Sequence, residues 1–554
     1  MKQEIRHKLD HIINTLRVDI MSDPVTDIEQ LSYLIYLKLL DEEESKQELG
    51  AVSMVGHAAA PLFPKQAQRY RWSRWQAKHG HDLLDFIQDE VFPYMASLVK
   101  EQPSVAEYFR DAVLEIRDPN VLKQVVDEID RIDFRQLGTD IKGDMFEYLL
   151  TRLGESALNG QFRTPRQLRT MMVEMVDPSL ADTILDPAAG TGGFLIDAVQ
   201  YILAKSSTQP KEVPIYGEQW LEQRQQTIEQ AKTDLPTLQT YRKRADDQVF
   251  DLHLNSLEKQ IYGFETSRQM VRICMMNLVL HGISHAQVKR ANSLSELGGL
   301  NEDDLRRKYS VILSTPLFTG TIPKGSIRRD LLINSKKSEL LFLALIMQSL
   351  VPGGRCAVIV PEGLLFGSTK AHVTLRKKLV EEYDLQAVVS LPAGVFKPYT
   401  GIKTSVLLFR RPIIEQKEKN IQDTAKIWFY HVRADGYDPD KISGGARTET
   451  PQRNDIPDLL QQWEVYKRSG FKNPPGVETR THLDAGTQEP RCWWASVKTV
   501  AENNYKLAAG RYKPKVMQKR PDEDPIELIR EVLAIEKEIC EGLEELLREV
   551  EVVG

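Results

Sequence analysis

The chain has few cysteines, no long apolar run and no excess of positive charge. Four cysteines occur among 554 residues, and they form no Cys-x-x-Cys pair, so we expect buried thiols rather than a disulfide framework or a metal site. No segment is apolar over the length that a bilayer requires, and the residues after Met1 lack the pattern of a signal peptide. We therefore expect a cytoplasmic protein with no membrane contact.

The balance of charge limits the kind of partner. The formal net charge is -6, whereas a protein that binds DNA by itself usually presents a basic surface. If DNA is the substrate, we expect a partner to supply much of the contact with the phosphates. The length exceeds that of one hydrophobic core, and a chain of this size is expected to form roughly two to four domains.

Two patterns of apolar residues divide the chain. Helical spacing, as in Leu31 and Leu34, predicts an N-terminal all-α domain over 1–140. Strands and helices then alternate, which predicts an α/β domain over 141–415 built on a doubly wound, mostly parallel, seven-stranded Rossmann-like sheet. A polar insertion at 203–257 interrupts this domain. The expected strands are Thr183–Leu185, Gln260–Phe264, Gln287–Lys289, Val311–Leu313, Cys356–Val360, Leu385–Ser390 and Ser405–Phe409.

The last part of the chain is expected to form an extension and a helix. A C-terminal extension over 416–515 contains one more strand-like run, Ile427–Val432. The final segment, 516–554, carries apolar residues that recur seven apart, as in Val532 and Ile539, which is typical of a helix that binds a partner. A helix packed against its own domain satisfies the same spacing.

Aromatic and basic residues alternate between Tyr70 and Trp75. Such a run can form a nucleic-acid surface. Aromatic side chains packed beneath solvated arginines are the commoner explanation, and we favour it.

The most informative segment is a glycine-rich turn between a short apolar strand and a helix. Gly190, Gly192 and Gly193 let the backbone turn sharply and approach a ligand closely. A dinucleotide fingerprint needs a further glycine where Leu195 stands, and a phosphate-binding P-loop needs Lys and then Ser or Thr after its last glycine. An oxidoreductase that binds a dinucleotide is therefore nearly excluded, while an ordinary strand-turn-helix remains open for this segment alone.

The run from Asp186 to Leu195, Asp-Pro-Ala-Ala-Gly-Thr-Gly-Gly-Phe-Leu, resembles the S-adenosylmethionine loop of amino-group DNA methyltransferases. It is most similar to that of the modification subunits of type I restriction-modification systems. Further segments resemble these subunits in the same order, namely 338–342, 350–355, 360–367, 391–401, 502–507 and 510–512.

The resemblance implies an activity and a set of partners. It implies transfer of a methyl group from the cofactor S-adenosyl-L-methionine to N6 of adenine in DNA. The implied partners are double-stranded DNA, a DNA-specificity subunit, a second copy of the chain and a restriction or other defence subunit.

The resemblance also assigns cofactor contacts. The segment before the glycine turn closes over the methionine part, where a Thr hydroxyl and free N–H groups at a helix start suit a carboxylate. Arg163 stands where the family usually has an aromatic residue. Glu265 accepts hydrogen bonds from the ribose hydroxyls, or else is a surface acid that caps the next helix. Asn292 pairs with the adenine edge, or else forms an Asx turn. The implied contacts are Gln161, Phe162, Arg163, Thr164, Pro165, Arg166, Asp186, Gly190, Thr191, Gly192, Gly193, Glu265, Asn292 and Ser293.

The catalytic segment departs from the family pattern. In the family, an Asn-Pro-Pro-Phe or Asn-Pro-Pro-Tyr tetrapeptide accepts both hydrogens of the target amino group, and its ring stacks on a base flipped out of the duplex. This chain reads Thr315-Pro316-Leu317-Phe318. We assign Thr315, Pro316 and Phe318 as catalytic residues, because transfer from a sulfonium needs an oriented amino nitrogen rather than a strong base.

Both departures are expected to weaken catalysis. A Thr hydroxyl is shorter than an Asn amide, is also a donor and sits on a stiff β-branched side chain. Leu317 releases the φ angle that proline fixes. Because misplacing a catalytic group by about 1 Å costs on the order of a hundredfold in rate, we predict weak or absent transfer to adenine with the cofactor pocket retained.

Two hypotheses follow. The chain is an active DNA methyltransferase subunit, or it is a methyltransferase-like subunit that binds cofactor and DNA within a defence complex. Related cytosine-N4 methyltransferases carry serine at the position of Thr315, which makes a changed base preference an alternative. Leu317 argues against that alternative.

Overall fold

The computed structural model describes most of the chain and divides it into two compact units. The larger comprises Met1–Glu478 and Arg491–Tyr512, and the smaller comprises Thr479–Pro490 and Lys513–Gly554. The described residues are 3–19, 24–51, 61–135, 137, 139–155, 163–206, 254, 256–296, 298–413, 425–443, 446–471, 479–481, 488–514, 529–530, 532–537 and 539–543.

The first part of the larger unit is helical. Its helix ends follow simple chemistry, as where Asp118 accepts a hydrogen bond from Asn120 N and Pro119 begins the helix. One turn of π-helix, Ile87–Val91, joins two of the α-helices. The α-helices are α1 (Gln3–Asp19), α2 (Pro24–Ala51), α3 (Trp72–Trp75), α4 (Gly80–Phe86), α5 (Phe92–Ser97), α6 (Pro103–Phe109), α7 (Pro119–Asp130) and α8 (Thr139–Glu155).

The tryptophans of the aromatic and basic run at Tyr70–Trp75 pack inside this helical part, while Arg74 is exposed, as expected of a solvated arginine. Trp72 and Trp75 are buried, and their ring centroids lie 4.8 Å apart. Packing of the aromatic side chains is therefore confirmed. The expectation of solvated arginines is wrong for Arg71, which is buried because the carboxylate of Asp41 neutralises its charge.

Thirteen strands are described, and nine of them form one sheet. The sheet order is β13-β8-β6-β7-β5-β4-β1-β2-β3. Pairs are parallel except those of β7 with β5 and β6, and of β13 with β8. The strands are β1 (Ile184–Asp186), β2 (Ile261–Glu265), β3 (Gln287–Arg290), β4 (Tyr309–Ser314), β5 (Leu350–Pro361), β6 (Asp384–Ser390), β7 (Thr404–Arg410), β8 (Lys426–His431), β9 (Asp435–Ser443), β10 (Ala446–Asn454), β11 (Thr479–Thr481), β12 (Gln488–Pro490) and β13 (Cys492–Ser496).

The expected mostly parallel sheet is confirmed, and its predicted size of seven strands is wrong. All seven predicted strands are present, and β8 and β13 extend the sheet beyond β6. The apolar run of β8 is buried from Ile427 to Tyr430, so it needs a covered place in the sheet rather than a surface position. β9 pairs with β10 as a separate antiparallel ribbon, and β11 pairs with β12 in the smaller unit.

Helices cover both faces of the sheet. α9, α10 and α11 pack with the N-terminal helices against one face, while α13 and α15 cover the other. This two-sided cover explains the continuous apolar runs of the central strands β4 and β5. The helices of this part are α9 (Arg166–Val176), α10 (Gly193–Ser206), α11 (Arg268–Leu280), α12 (Glu302–Arg306), α13 (Ser338–Ser349), α14 (Glu362–Phe366), α15 (Lys370–Glu381), α16 (Ile456–Arg468) and α17 (Val497–Glu502).

The predicted insertion at 203–257 is described only at its ends. Residues 203–206 complete α10, and residues 254 and 256–257 are helical. Its remaining residues, 207–253 and 255, lie outside the described part of the chain.

The predicted C-terminal helix is also described in part. Residues 529–530, 532–537 and 539–543 are helical, with exposed apolar side chains that include Ile529 and Ile539. Cys540, on this helix, is exposed, which corrects the expectation of four buried thiols, while Cys274, Cys356 and Cys492 are buried. None of the described helices combines the length and the apolar character needed to cross a membrane.

Candidate active site

Three parallel strands end side by side at one edge of the sheet. β1 lies between β2 and β4, and the carboxyl ends of these strands carry Asp186, Glu265 and Ser314. Open α/β sheets bind ligands at their carboxyl edge. The glycine turn after β1 and the Thr315–Phe318 segment after β4 therefore meet at this edge, although more than a hundred residues separate them in the chain.

The glycine turn needs glycine for two physical reasons. Gly190 and Gly192 have positive φ angles of 52° and 78°, which other residues adopt at a cost. A Cβ atom on Gly192 would lie 2.8 Å from Cys274 Sγ, and one on Gly193 would lie 2.7 Å from the Arg169 guanidinium. The backbone of the turn is thus open to a ligand on one side and closely packed on the other.

The Glu265 carboxylate accepts hydrogen bonds from the glycine turn and from the two residues that precede the next helix. Its Oε1 accepts hydrogen bonds from the N–H groups of Thr266 at 2.7 Å and Ser267 at 3.0 Å. Its Oε2 accepts one from Gly190 N at 3.1 Å. The next helix is capped instead by Ser267, whose side chain accepts a hydrogen bond from Met270 N, so the capping alternative for Glu265 is wrong and its carboxylate holds the glycine turn. Oε2 keeps lone-pair capacity for a further donor.

Asp186 links the ends of β1 and β4. The residue is buried, and its Oδ1 accepts hydrogen bonds from Ser314 Oγ at 2.7 Å and Ala188 N at 3.0 Å. Burial raises the pKa of the Asp186 carboxyl to about 7, and the hydrogen bond from Ser314 opposes that rise. The bond from Ser314 ties the strand that carries the glycine turn to the strand that carries Thr315.

Arg163 is held by a buried network of charges. Its guanidinium pairs with Glu147 of α8. Arg169 lies beside the same carboxylate and donates from Nε to Asp197 at 2.8 Å and from Nη1 to the Thr164 carbonyl at 3.0 Å. Burial lowers the pKa of Arg163 to about 10. The arginine that replaces the family's aromatic residue is thus accommodated by Glu147, while Asp197 neutralises its neighbour Arg169.

The rest of this predicted segment stands at a helix start. Thr164 is buried, Pro165 is the N-cap, and α9 begins at Arg166. Gln161 and Phe162, which were assigned to the same cofactor contact, lie outside the described residues.

Asn292 and Ser293 form the turn after β3. Asn292 Oδ1 accepts a hydrogen bond from Leu294 N at 3.1 Å, which is the Asx turn named above as the alternative. Ser293 Oγ donates to the Pro187 carbonyl at 2.7 Å. The turn is therefore fixed to the segment that follows β1, beside the glycines.

The Thr315–Phe318 segment follows β4 directly. Thr315 Oγ1 is buried and has no hydrogen-bond partner among the described residues. Pro316 is buried and Leu317 is 50% exposed. Phe318 is buried, and its ring meets that of Phe396 edge to face with centroids 5.0 Å apart.

Sequence reasoning missed three residues at this edge, namely Ser314, Asn277 and Phe396. Ser314 ends an apolar strand just before the tetrapeptide, and Asn277 interrupts the apolar run of α11; a lone polar residue in such a run is an available signal. No local signal marks Phe396, because its contact with Phe318 depends on the tertiary fold. The described residues contain no group of three or more His, Cys, Asp or Glu side chains placed to hold a metal ion.

Comparisons with known proteins agree with this geometry. The N-6 DNA methylase family model matches residues 137–239 and 240–520, and the HsdM N-terminal domain model matches residues 5–129. The Escherichia coli type I restriction enzyme EcoEI methylase subunit is 32% identical over 422 residues, covering 74% of this chain and 73% of that protein. The EcoKI methylase subunit of Escherichia coli K12 is 26% identical over 465 residues, covering 82% and 74%.

A solved chain from a type I restriction-modification system has the same fold. Its TM-score is 0.63 at 25% sequence identity, and the match covers 100% of this chain and 99% of that one. The predicted α/β fold, the family resemblance and S-adenosylmethionine as the cofactor are confirmed. The chain belongs to the N-6 DNA methylase family, as a methylase subunit of type I restriction-modification systems.

Proposed function

We propose that the carboxyl edge of β1, β2 and β4 holds S-adenosyl-L-methionine, which supplies a methyl group activated on a sulfonium. The support is the open glycine turn, with Glu265 beside it and the charged Arg163 segment at the start of α9. The residues proposed to hold the cofactor are Gln161, Phe162, Arg163, Thr164, Pro165, Arg166, Asp186, Gly190, Thr191, Gly192, Gly193, Glu265, Asn292 and Ser293.

We further propose that Thr315, Pro316 and Phe318 receive the target adenine but that methyl transfer is weak or absent. The observation that carries this proposal is the buried Thr315 Oγ1 without a hydrogen-bond partner in the described part of the chain. Among the described residues, no group bonds to this hydroxyl and fixes its orientation, so it is not preorganised as an acceptor for the amino group. An Asn amide oxygen reaches further and accepts without also being a donor.

Leu317 adds a second departure. Its side chain is 50% exposed, so it adds apolar surface beside the catalytic segment. A leucine here neither fixes φ nor removes the backbone N–H, as proline would. The backbone of the Thr315–Phe318 segment, which is expected to accept a hydrogen of the adenine amino group, is therefore held less firmly.

A substitution series tests the proposal. The full chain and its specificity partner are mixed with DNA and methyl-labelled cofactor, and the given chain is compared with Thr315→Asn, Leu317→Pro and the double variant. We expect each single variant to recover part of the activity and the double variant to be faster on the order of a hundredfold. Equal rates for all four chains contradict an impaired site. Label on cytosine with the given chain supports the altered base preference instead.

The cofactor site has its own test. Replacing Glu265 by Ala removes the proposed ribose acceptor and one bond to the glycine turn, and we expect S-adenosylmethionine to bind at least about tenfold more weakly in calorimetry. Glu302→Ala, which removes an exposed acid on α12, is the matched control and should leave affinity unchanged. Unchanged affinity in Glu265→Ala removes Glu265 from the proposed role.

We propose that this subunit acts in a complex. The proposed partners are double-stranded DNA, a DNA-specificity subunit, a second copy of the chain and a restriction or other defence subunit, with no membrane contact. Relatives named as methylase subunits of type I restriction enzymes support this proposal. So do the exposed apolar side chains on the terminal helix, including Ile529 and Ile539, which fit a partner-binding helix.

We also propose the four-part division of the chain at 1–140, 141–415, 416–515 and 516–554. The two family models support the first boundary, because one ends at residue 129 and the other begins at residue 137. The boundary between 141–415 and 416–515 does not separate two sheets. β8 and β13 lie after it, yet they belong to the same sheet as the strands of 141–415.

A further inference from the structure

Helix α11 (Arg268–Leu280) packs directly behind the glycine turn. Asn277 Nδ2 donates a hydrogen bond to the Thr191 carbonyl at 2.8 Å, and Cys274 Sγ occupies the space that Gly192 leaves without a side chain. Asn277 is fully buried, and its Oδ1 has no hydrogen-bond partner among the described residues. The side chain thus holds the turn while leaving one of its own polar atoms unsatisfied, which is costly in a purely structural role.

Another side of α11 is fixed to the N-terminal helices. Arg272 forms an ion pair with Glu29 of α2, and the two side chains are 6% and 4% exposed. Arg272 also donates to the carbonyls of Tyr108 at 3.1 Å and Arg110 at 2.6 Å. Gln269 Nε2 donates to the other oxygen of Glu29 at 3.0 Å. These charge-assisted bonds fix the position of α11 relative to α2.

The end of α11 fits against α8 in a similar way. His281 Nδ1 lies 2.7 Å from the Asn277 carbonyl oxygen. Its ring fills the space left by Gly143 of α8, where a Cβ atom would lie 2.3 Å from His281 Nε2. α11 is therefore closely packed on two sides. Gly143 marks the contact with the helical part, and Gly192 marks the contact with the glycine turn. Because packed interiors do not deform freely, a shift of the N-terminal helices moves the turn as well.

We propose that Asn277 is a positioning residue for the cofactor, and that α11 transmits the placement of the N-terminal helices to the glycine turn. The inference rests on the proposed cofactor site. Asn277 acts on the cofactor through Thr191, by fixing the backbone of the glycine turn beside the proposed site. A partner that displaces the N-terminal helices changes cofactor affinity through this route.

The first test replaces Asn277 by Leu in the full chain. Leucine has a similar volume and removes the unsatisfied Oδ1, and Thr191 is only partly buried, so we expect water to replace the lost donor with little change in the free energy of unfolding. We expect S-adenosylmethionine to bind at least about tenfold more weakly in calorimetry. Without cofactor, the backbone amides of Gly190–Gly193 should exchange hydrogen faster than in the unchanged chain.

The second test removes the connection to α2. The double variant Glu29→Gln with Arg272→Gln replaces the ion pair by neutral side chains, and we expect several-fold weaker cofactor binding together with faster exchange in the glycine turn. The matched control is Asp41→Asn with Arg71→Gln. That pair is similarly buried, with side chains 7% and 8% exposed, and it does not include α11. The control should lower stability without changing affinity or exchange in the turn.

Two results overturn the inference. Unchanged affinity and unchanged exchange in Asn277→Leu remove Asn277 from the positioning role. If the two ion-pair variants change cofactor affinity and hydrogen exchange equally, the proposed connection through α11 is contradicted. If the unchanged chain binds no S-adenosylmethionine, the proposed function is contradicted. The present inference is still decided in that case, because hydrogen exchange is measured without cofactor.

Discussion

Asp186 is a carboxyl group enclosed by the protein, and its chemistry follows from that burial. Ser314 and Ala188 N are its hydrogen-bond donors, yet burial raises its pKa to about 7. The native chain therefore holds the proton more tightly than the unfolded chain, in which the carboxyl has its ordinary pKa of 3.8.

This shift predicts a pH dependence of stability. A raised carboxyl pKa contributes stability that is complete below the ordinary pKa of 3.8 and is lost as the pH rises from there through about 7. Asp186→Asn keeps an acceptor for Ser314 and stays neutral. In chemical denaturation of the cofactor-free chain, the variant should match the unchanged chain near pH 4 and exceed its free energy of unfolding increasingly up to pH 7, by a few kcal/mol at most. Asp303→Asn, which replaces an exposed acid, should show no such divergence from the unchanged chain. If Asp186→Asn shows no divergence either, the proposed titration of Asp186 is ruled out.

Gly192 supplies a steric prediction at the same scale. Gly192→Ala combines a positive φ with a contact between the new Cβ and Cys274 Sγ, so the free energy of unfolding should fall by about 2 kcal/mol or more. Gly190→Ala has a positive φ and open space around it, so it should cost about 1 kcal/mol. Thermal and urea unfolding of both variants measure the difference. Equal costs would show that Cys274 gives way without penalty.

Individual residues differ in how well sequence alone predicts them. The position of Glu265 and of the glycines at the ligand-binding edge is predictable, because the residues that follow parallel strands in an α/β fold lie at the carboxyl edge of the sheet. The bond from Gly190 N to the Glu265 carboxylate spans 75 positions, yet it follows from the adjacent places of β1 and β2 in such a fold. Ser314 and Asn277 are not assigned from sequence, since their partners Asp186 and Thr191 lie 128 and 86 positions away.

At the scale of elements, a buried arginine fastens the end of the larger unit to α15. Arg376 is fully buried; its Nε donates to the Tyr505 carbonyl at 2.7 Å and its Nη1 to the Leu364 carbonyl at 2.8 Å. Burial lowers the pKa of Arg376. The segment that contains Tyr505 also pairs with α14, because Leu507 N donates to the Leu365 carbonyl at 2.9 Å.

Removing that arginine should loosen the segment. Arg376→Ala leaves a cavity and two carbonyls without their donor, so the free energy of unfolding should fall by about 3 kcal/mol, as measured by urea denaturation. The control is Lys377→Ala, at a side chain on the same helix that is 55% exposed. A loss within about 0.5 kcal/mol of the control would mean that other contacts hold the segment.

Strands were predicted better than the sheet they form. Each of the seven predicted strands is present, and most contain an apolar run that identifies them locally; β3, which reads Gln-Val-Lys-Arg, has a single apolar residue. The membership of β8 depends on parallel pairing of Ala387 with Trp428, and no local pattern specifies that pairing. β13, with only five residues, joins the sheet through β8, so the sequence alone does not reveal the full extent of the sheet.

At the scale of the whole molecule, the proposed functions of cofactor binding and methyl transfer reside in different segments. The family relationship and the glycine turn support cofactor binding, and we propose that the Thr315–Phe318 segment limits methyl transfer. Ser314 joins the two segments through Asp186. Restoring the family tetrapeptide leaves Ser314 in place, so we expect the acceptor to change while this bond and the turn are kept.

The most direct test measures both quantities on the same preparations. The given chain and its Thr315→Asn, Leu317→Pro double variant are each assembled with the specificity partner and target DNA, and cofactor affinity and single-turnover methyl transfer are recorded. We predict affinities that agree within about twofold and transfer that is faster in the double variant on the order of a hundredfold. Equal transfer rates at equal affinity would contradict the account, because the Thr315–Phe318 segment would then be as competent as the family's own tetrapeptide.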